Sequence, residues 1–428
     1  MKAPLSLIGY RLASFLATPL AGPILAMRLK RGKEDPRRLG ERRGLTDLSR
    51  PPGPLVWLHG ASVGEATVLM PFVERITRMG ATALVTTTTV TSAAMLAKRL
   101  PPGALHQYAP LDSPLFVRRF IKRWRPDAAL VAESELWPNM IVELKRSRSR
   151  LAMVNGRISE RSFRRWGRAP RFIAALLTEF DVCLARSEAD GERLATLGAA
   201  NVLVAGDIKF DAPTLPADRR ELAELAGVTS GRQMWIAAST HEGEEMIAAV
   251  AHKRLVQVFP DALTLIAPRH PERGEAILSQ LEGQGLICAL RSRGDPIRPE
   301  TSVYVCDTIG ELGLFYRLAG VVFVGKSFVA GGGQNPIEPA RLASAILHGP
   351  MVDNFADVYA ALDEAGGALA VARPEDLGEE LVALFANAAR LRVMARAAGD
   401  TVERRAGAVD RSMGALRGLL PTAGALAR

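Results

Sequence analysis

Residues 55–87 read LVWLHGASVGEATVLMPFVERITRMGATALVTT, and this stretch settles the class of fold. Leu55–His59 is a nearly wholly apolar run, too short for a helix, and Gly60-Ala61-Ser62 breaks it. From Ala66 to Met79 the apolar side chains return at Ala66, Leu69, Met70, Val73 and Ile76, the spacing of one helix face. A second apolar run, Ala83–Thr87, follows. Strand, glycine turn, amphipathic helix and second buried strand make one crossover unit, and such units build a parallel sheet covered on both faces.

The alternation continues outward in both directions. Ala128–Ala132, Leu151–Asn155, Asp181–Ala185 and Val202–Ala205 read as further strands, with Pro114–Arg123 among the intervening helices. Residues 211–232, rich in Pro, Asp and Arg, read as a linker with one short helix. A second series then starts, with Met234–Ala238, Leu263–Ala267, Ser302–Val305, Val321–Val324, Ala345–Leu347 and Ala368–Val371. The 428 residues thus divide into an apolar and basic segment 1–45, a domain 46–210, the linker, a domain 233–400 and a helical tail 401–428 placed to pack back across a cleft. The class is α/β, with two Rossmann-like doubly wound domains facing a central cleft and ligands at the carboxyl ends of strands.

Composition narrows the partners. With 48% hydrophobic and 23% charged residues, wholesale disorder is excluded. Cys183, Cys288 and Cys306 have no metal-ligand spacing and form no disulfide framework, which fits a reducing compartment. The aromatic content, 6%, gives little support to a stacking surface for single-stranded nucleic acid. Charge is uneven: through Gly206 there are 32 Lys and Arg against 17 Asp and Glu, and beyond it 23 against 28. The first half therefore faces nucleic acid, a membrane surface or a phosphorylated substrate, or is simply a solvated basic surface.

The amino terminus favours the membrane. Ala3–Met27 is mostly apolar, interrupted by Arg11, and its charge-free run Leu12–Met27 is shorter than the roughly 20 residues of a spanning helix. A span in which Arg11 snorkels to the interface is a second reading. Arg28, Lys30, Arg31, Lys33, Arg37, Arg38, Arg42 and Arg43 follow at once. Basic residues after the apolar run suit an anchor held to anionic lipid on the cytoplasmic side, and a cleaved signal peptide would carry them before it.

In a parallel sheet the informative residues follow each strand. In His59-Gly60-Ala61-Ser62-Val63-Gly64-Glu65, Glu65 sits at a helix start, where it reads either as a general base or as an ordinary first-turn carboxylate. Glu133-Ser134-Glu135-Leu136-Trp137-Pro138-Asn139 puts two carboxylates at a strand end, a costly arrangement unless they bind something or pair with Arg. Lys209, in Gly206–Asp211, is a point charge for phosphate or carboxylate or a plain surface lysine. Ser239 in Ala238–Glu244, and Pro268-Arg269-His270 in Pro268–Arg273, suit a nucleotide phosphate, although a helix cap explains the former equally well. Gly325-Lys326-Ser327 and Gly331–Pro339 make a glycine-rich turn in which Glu338 could accept from ribose hydroxyls. No His-Glu-x-x-His, cysteine pair or Asp-x-Asp occurs, so no bound metal is implied, and the dinucleotide fingerprint is missing after the first strand.

Taken in order, Ser62–Glu65, Glu133–Asn139, Asn155–Ser159, Gly206–Asp211, Ser239–Glu245, Pro268–Arg273, Asp307–Leu312 and Gly332–Glu338 resemble the 3-deoxy-D-manno-octulosonic acid (Kdo) transferases of lipopolysaccharide synthesis. The resemblance implies a GT-B glycosyltransferase fold, CMP-Kdo as donor, a lipid A precursor as acceptor and the cytoplasmic face of the inner membrane. It implies an inverting displacement without metal or other cofactor and no nucleic-acid partner. It makes Glu65 the base and Glu133 and Lys209 the groups that organise the transition state, with Glu135 behind them. It assigns Ser239, Pro268, Arg269, His270, Ile309, Gly310, Glu311, Ser327, Asn335, Pro336, Ile337 and Glu338 to the donor.

Two departures stand out against the family, which usually has glycine at Lys326 and histidine at Gln334. Two arginine-rich stretches, 118–125 around Phe120 and Trp124 and 157–168 around Phe163 and Trp166, are candidate acceptor surfaces. A transferase using a UDP-sugar, or a non-catalytic basic protein of membrane or nucleic-acid surfaces, is the alternative.

Overall fold

The computed structural model describes residues 4–329 and 331–421. It divides into two compact units, one of residues 1–211 with 406–428 and one of residues 212–405. The first unit holds β1 (Leu55–His59), β2 (Thr82–Thr87), β3 (Ala104–Tyr108), β4 (Ala128–Ala132), β5 (Arg150–Gly156), β6 (Val182–Ala185) and β7 (Val202–Val204). These form one sheet in the order β3-β2-β1-β4-β5-β6-β7, and every pairing is parallel. The second unit holds β8 (Met234–Thr240), β9 (Leu263–Pro268), β10 (Cys288–Leu290), β11 (Val303–Val305), β12 (Val321–Val324), β13 (Ala345–His348) and β14 (Ala368–Ala370). Its order is β10-β11-β9-β8-β12-β13-β14, again all parallel.

Two of these strands, β3 and β10, are not among the apolar runs read from the sequence. Both lie at sheet edges. β3 carries His106 and Gln107, which bond Thr87 and Trp124 inside the fold, and β10 is three residues long. Central strands such as β1, β4 and β9 are buried at every position, because helices cover both faces. In the first unit one face packs Trp57, Phe120 and Trp124 and the other packs Leu58, Leu69 and Phe72.

The topology fixes where ligands can sit. In each sheet the chain leaves the first strand toward one neighbour and later returns on its other side, between β1 and β4 and between β8 and β12. Loops diverge there at the carboxyl ends and leave a crevice. Glu65, Glu133 and Lys326 follow β1, β4 and β12 there, and Ser239 lies at the end of β8.

The chain ends differ from the expected layout. The helix Ala388–Arg405 belongs to the second unit, and the tail from Ala406 belongs to the first, where Ala408–Leu416 packs. The Asp211 carboxylate accepts from Gly407 N and Val409 N, both at 2.5 Å, and Arg411 donates to Ala205 O. At the other end, Leu5–Leu16 and Ala21–Lys30 are two helices bent by 46° at a break, and no single described helix is long and apolar enough to cross a membrane.

Arg11 does not snorkel. It ion-pairs with Glu143 at 2.5 Å, while Tyr10 donates to Asp112 and Asn139 donates to Ser14, so the polar side of the first helix is fastened to the first unit. Its other side leaves Leu5, Leu12, Phe15 and Leu16 exposed. The basic stretch that follows splits in function. Arg42 is buried, bonds Glu34 and also donates to the Thr88 and Ala109 carbonyls, and Arg38 pairs with Glu41; Lys30, Arg31, Lys33, Arg37 and Arg43 remain exposed.

Candidate active site

In the first unit the site starts at the helix Val63–Arg78. Ser62 caps it and Glu65 closes a capping box. The Glu65 Oε2 atom accepts from Ala61 N at 2.5 Å and Ser62 N at 2.9 Å, and Glu65 N donates to Ser62 Oγ at 3.4 Å. Both readings of Glu65 therefore meet in one side chain: Oε2 is spent on the cap, and Oε1 has no hydrogen bond among the described residues. Gly60 is needed, since a Cβ there would stand 2.8 Å from Glu65 Cβ.

Glu133 follows β4 with φ +52°, a left-handed conformation that costs a non-glycine residue about 1 kcal/mol or more. Asn155 (φ +53°) and Ser239 (φ +56°) are held the same way at the ends of β5 and β8. Burial pushes the Glu133 carboxyl above its ordinary range, the Lys209 charge opposes this, and the Glu65 charge adds to it. Arg157 and Arg186 also favour its ionised form. The Lys209 and Glu65 charges thus both act on the Glu133 carboxyl at the end of β4. Asn155 Oδ1 takes Ile208 N at 3.0 Å and so anchors the turn Ile208–Asp211 that carries Lys209.

Glu135 lies behind them. Its Oε2 accepts from the Trp137 indole at 2.7 Å and is 3.9 Å from His59 Nε2. Burial, and then the Glu65 charge, raise its carboxyl to about 7. His59, fully buried, is lowered to about 4 by burial; Thr86 bonds its Nδ1, and its Nε2 is left unpartnered. The folded protein thus holds a proton on Glu135 that the unfolded chain releases, so stability falls as pH rises from about 4.5 through about 7. Glu135→Gln should melt above the wild type at pH 8, by on the order of 3 kcal/mol at most, with most of that gain absent at pH 5. Equal differences at the two pH values would remove the assignment.

The second unit surrounds its crevice with two buried carboxylates that sequence reading passed over. Glu244, at 0% exposure, accepts from His241 N at 2.9 Å, Lys326 N at 2.6 Å, Ser327 N at 3.0 Å and Phe328 N at 3.1 Å. Glu245 takes Arg273 at 2.8 Å and Thr240 Oγ1 at 2.9 Å. The only sequence signal was a glycine followed by two acids at a helix start. The helix is capped by Gly243 rather than Ser or Thr, and Ser239 lies on β8 at a register shift.

The expected donor residues fall into two groups. Arg269 and His270 are exposed after β9, Ile309 is 88% exposed, and Gly310 has φ +93°. Glu338 is raised by burial and lowered by Asn335 and by the Arg269 charge, which places these three together. Ser327 differs from expectation: it is fully buried, its hydroxyl donates to Val324 O and accepts from Gly349 N, and it holds the loop instead of facing a ligand. Ile337 is likewise a core residue, Pro336 and Pro268 are buried, and Asn335 Oδ1 accepts from Ile337 N. The Glu311 carboxylate is committed to Arg291 and Thr308, and Arg291 lowers it.

Of the two arginine-rich stretches, 118–125 loses its aromatics, because Phe120 and Trp124 are fully buried. The second keeps Phe163 and Trp166 half-buried against the core. Arg161, Arg164, Arg165 and Arg168, with Glu160, line a recess of about 620 Å³, Arg165 stacks over Trp166, and Trp166 stacks on Phe172, which meets Tyr10 of the first helix.

Residues 37–212 match the family described as 3-Deoxy-D-manno-octulosonic-acid transferase (kdotransferase). A probable mitochondrial 3-deoxy-D-manno-octulosonic acid transferase of Arabidopsis thaliana is 34% identical over 412 residues, 92% of this chain and 91% of the relative. The 3-deoxy-D-manno-octulosonic acid transferase of Haemophilus influenzae is 32% identical over 387 residues, 89% of this chain and 91% of the relative. The chain belongs to the Kdo transferase family. It is a glycosyltransferase. A solved glycosyltransferase of Rickettsia africae has the same fold, with a TM-score of 0.56 at 11% identity over 86% of this chain and 99% of that one, and the two parallel sheets are those of the GT-B class.

Proposed function

We propose that this transferase moves Kdo from CMP-Kdo to a hydroxyl of a lipid A precursor, by inversion and without a metal, at the cytoplasmic face of the inner membrane. The observation that carries the reading is the carboxylate–lysine group at the switch point of the first sheet. The acceptor hydroxyl gives its proton to Glu65 Oε1, the oxygen not used by the cap. Its oxygen forms a bond to the anomeric carbon, the bond from that carbon to the phosphate oxygen breaks, and CMP leaves with the electron pair. The two backbone donors on Oε2 aim the carboxylate beforehand. Lys209 and Glu133 supply fixed charges where the transition state is polarised.

Family membership supports Kdo as the transferred sugar. For the donor nucleotide, CMP should compete with transfer far better than UMP; stronger competition by UMP would overturn it.

The acceptor, a phosphorylated glycolipid, is an anionic amphiphile. The exposed apolar side of residues 5–27 and the recess of Arg161, Arg164, Arg165 and Arg168 suit its acyl chains and phosphates. Arg161→Glu with Arg165→Glu should weaken flotation with anionic vesicles at least about tenfold at 0.1 M salt, at roughly 1 kcal/mol for each basic residue. Flotation equal to that of the wild type would remove this surface from the account.

A further inference from the structure

The loop after β12 contains a residue that its backbone does not favour. Lys326 has φ +58°, in the left-handed region, between Gly325 and the fully buried Ser327. Glycine would take that conformation without penalty. The lysine is kept there by the Glu244 carboxylate, which holds three consecutive N–H groups from Lys326 to Phe328, and by Gly333 N, which donates to Lys326 O at 2.7 Å. Its side chain crosses Gly331, where a Cβ would stand 2.2 Å from Lys326 Cε, so the glycine leaves room for the lysine stem. Strain of this kind persists where the position has a use.

The ammonium has no hydrogen bond or ion pair among the described residues. The nearby carboxylate of Glu244 is consumed by backbone donors and makes no ion pair with it. Three cations, Lys326, His270 and Arg269, and one carboxylate, Glu244, act together on His241. The His241 Nε2 atom is 3.0 Å from Gln334 Nε2, and with the amide in this orientation Nε2 is the acceptor of a neutral ring. Burial lowers His241, the charges of Lys326, His270 and Arg269 lower it further, and the Glu244 charge opposes them. Arg269 carries no ion pair either, and it faces Glu338. A half-buried cation without a counter-ion, beside a second one and a neutral imidazole, is a place for an anion.

We infer that Lys326 is a donor-binding residue of this particular chain, whose ammonium takes the nucleotide phosphate, and that the strained backbone of the loop exists to present it. This rests on the reading of the second unit as the CMP-Kdo site. It sets binding affinity against stability in a single residue: removing the side chain relieves the backbone and empties the phosphate contact.

Calorimetric titration of the full-length protein with CMP, together with melting curves, separates the possibilities. Lys326→Gly should bind CMP about tenfold more weakly than the wild type and melt about 2–4 °C higher. Lys326→Met keeps the strained conformation and should lose the same affinity with no gain in melting temperature. Lys326→Arg should stay within about threefold of the wild type, because the charge is retained. If Lys326→Gly binds CMP within twofold of the wild type, the inference falls while the donor reading stands. If the wild type does not bind CMP, the donor reading itself fails and takes the inference with it.

Discussion

Glu65→Gln is expected to lower the turnover number for Kdo transfer by about 10²- to 10⁴-fold, the range general-base removal commonly gives. Gln at the third position of a helix still closes a capping box, because its carbonyl oxygen can accept from Ala61 N and Ser62 N. The fold is therefore preserved, and melting should shift by less than about 1 kcal/mol equivalent. CMP binding, which the proposed function assigns to the second unit, should not change. Glu65→Ala confounds the two effects, since it also removes the cap. The substitution has a measurable echo: loss of the Glu65 charge takes away a repulsion that raises both Glu133 and Glu135, so both carboxyls should titrate lower. Turnover within tenfold of the wild type would withdraw the base assignment.

Glu244→Ala is the second large effect, and it acts on stability. Four backbone donors lose their acceptor at a site closed to water. A buried donor left unsatisfied costs about 1–3 kcal/mol, and relaxation of the loop recovers part of the total. A net loss of about 3–5 kcal/mol is expected, the size seen when one side of a buried charged contact is removed. For a unit of this length that lowers the melting temperature by roughly 10 °C. CMP binding should disappear with it, because residues 326–328 and His241 are positioned by the same carboxylate. Melting within 2 °C of the wild type would show that the loop stands without Glu244.

How far the sequence reveals this molecule depends on what each residue's partners are. The central strands are legible because both faces are buried, and apolar runs such as Leu55–His59 then have a single reading. The edge strands β3 and β10 are not, because β3 is interrupted by His106 and Gln107, whose partners Thr87 and Trp124 come from elsewhere in the chain, and β10 is only three residues long. Glu65, Glu133 and Lys209 are visible as carboxylates and a lysine following strands, and the fold brings them to one strand end. Glu244 looks like any first-turn acid, and only the tertiary path of the chain delivers four N–H groups to it. Ser327 suggests a phosphate contact in sequence, yet the turn directs its hydroxyl inward to Val324 and Gly349. Arg11 interrupts an apolar run and Arg42 belongs to a basic one, and both turn out to be bonded, to Glu143 and Glu34.

The most direct test of the central claim is a mass-spectrometric transfer assay. The purified full-length protein would receive a tetraacylated lipid A precursor and CMP-Kdo generated in place, with Glu65→Gln run in parallel. The account requires a product heavier by one or more Kdo residues, formed by the wild type and nearly absent with the variant. Folded wild-type protein that binds CMP and yields no heavier product would contradict it.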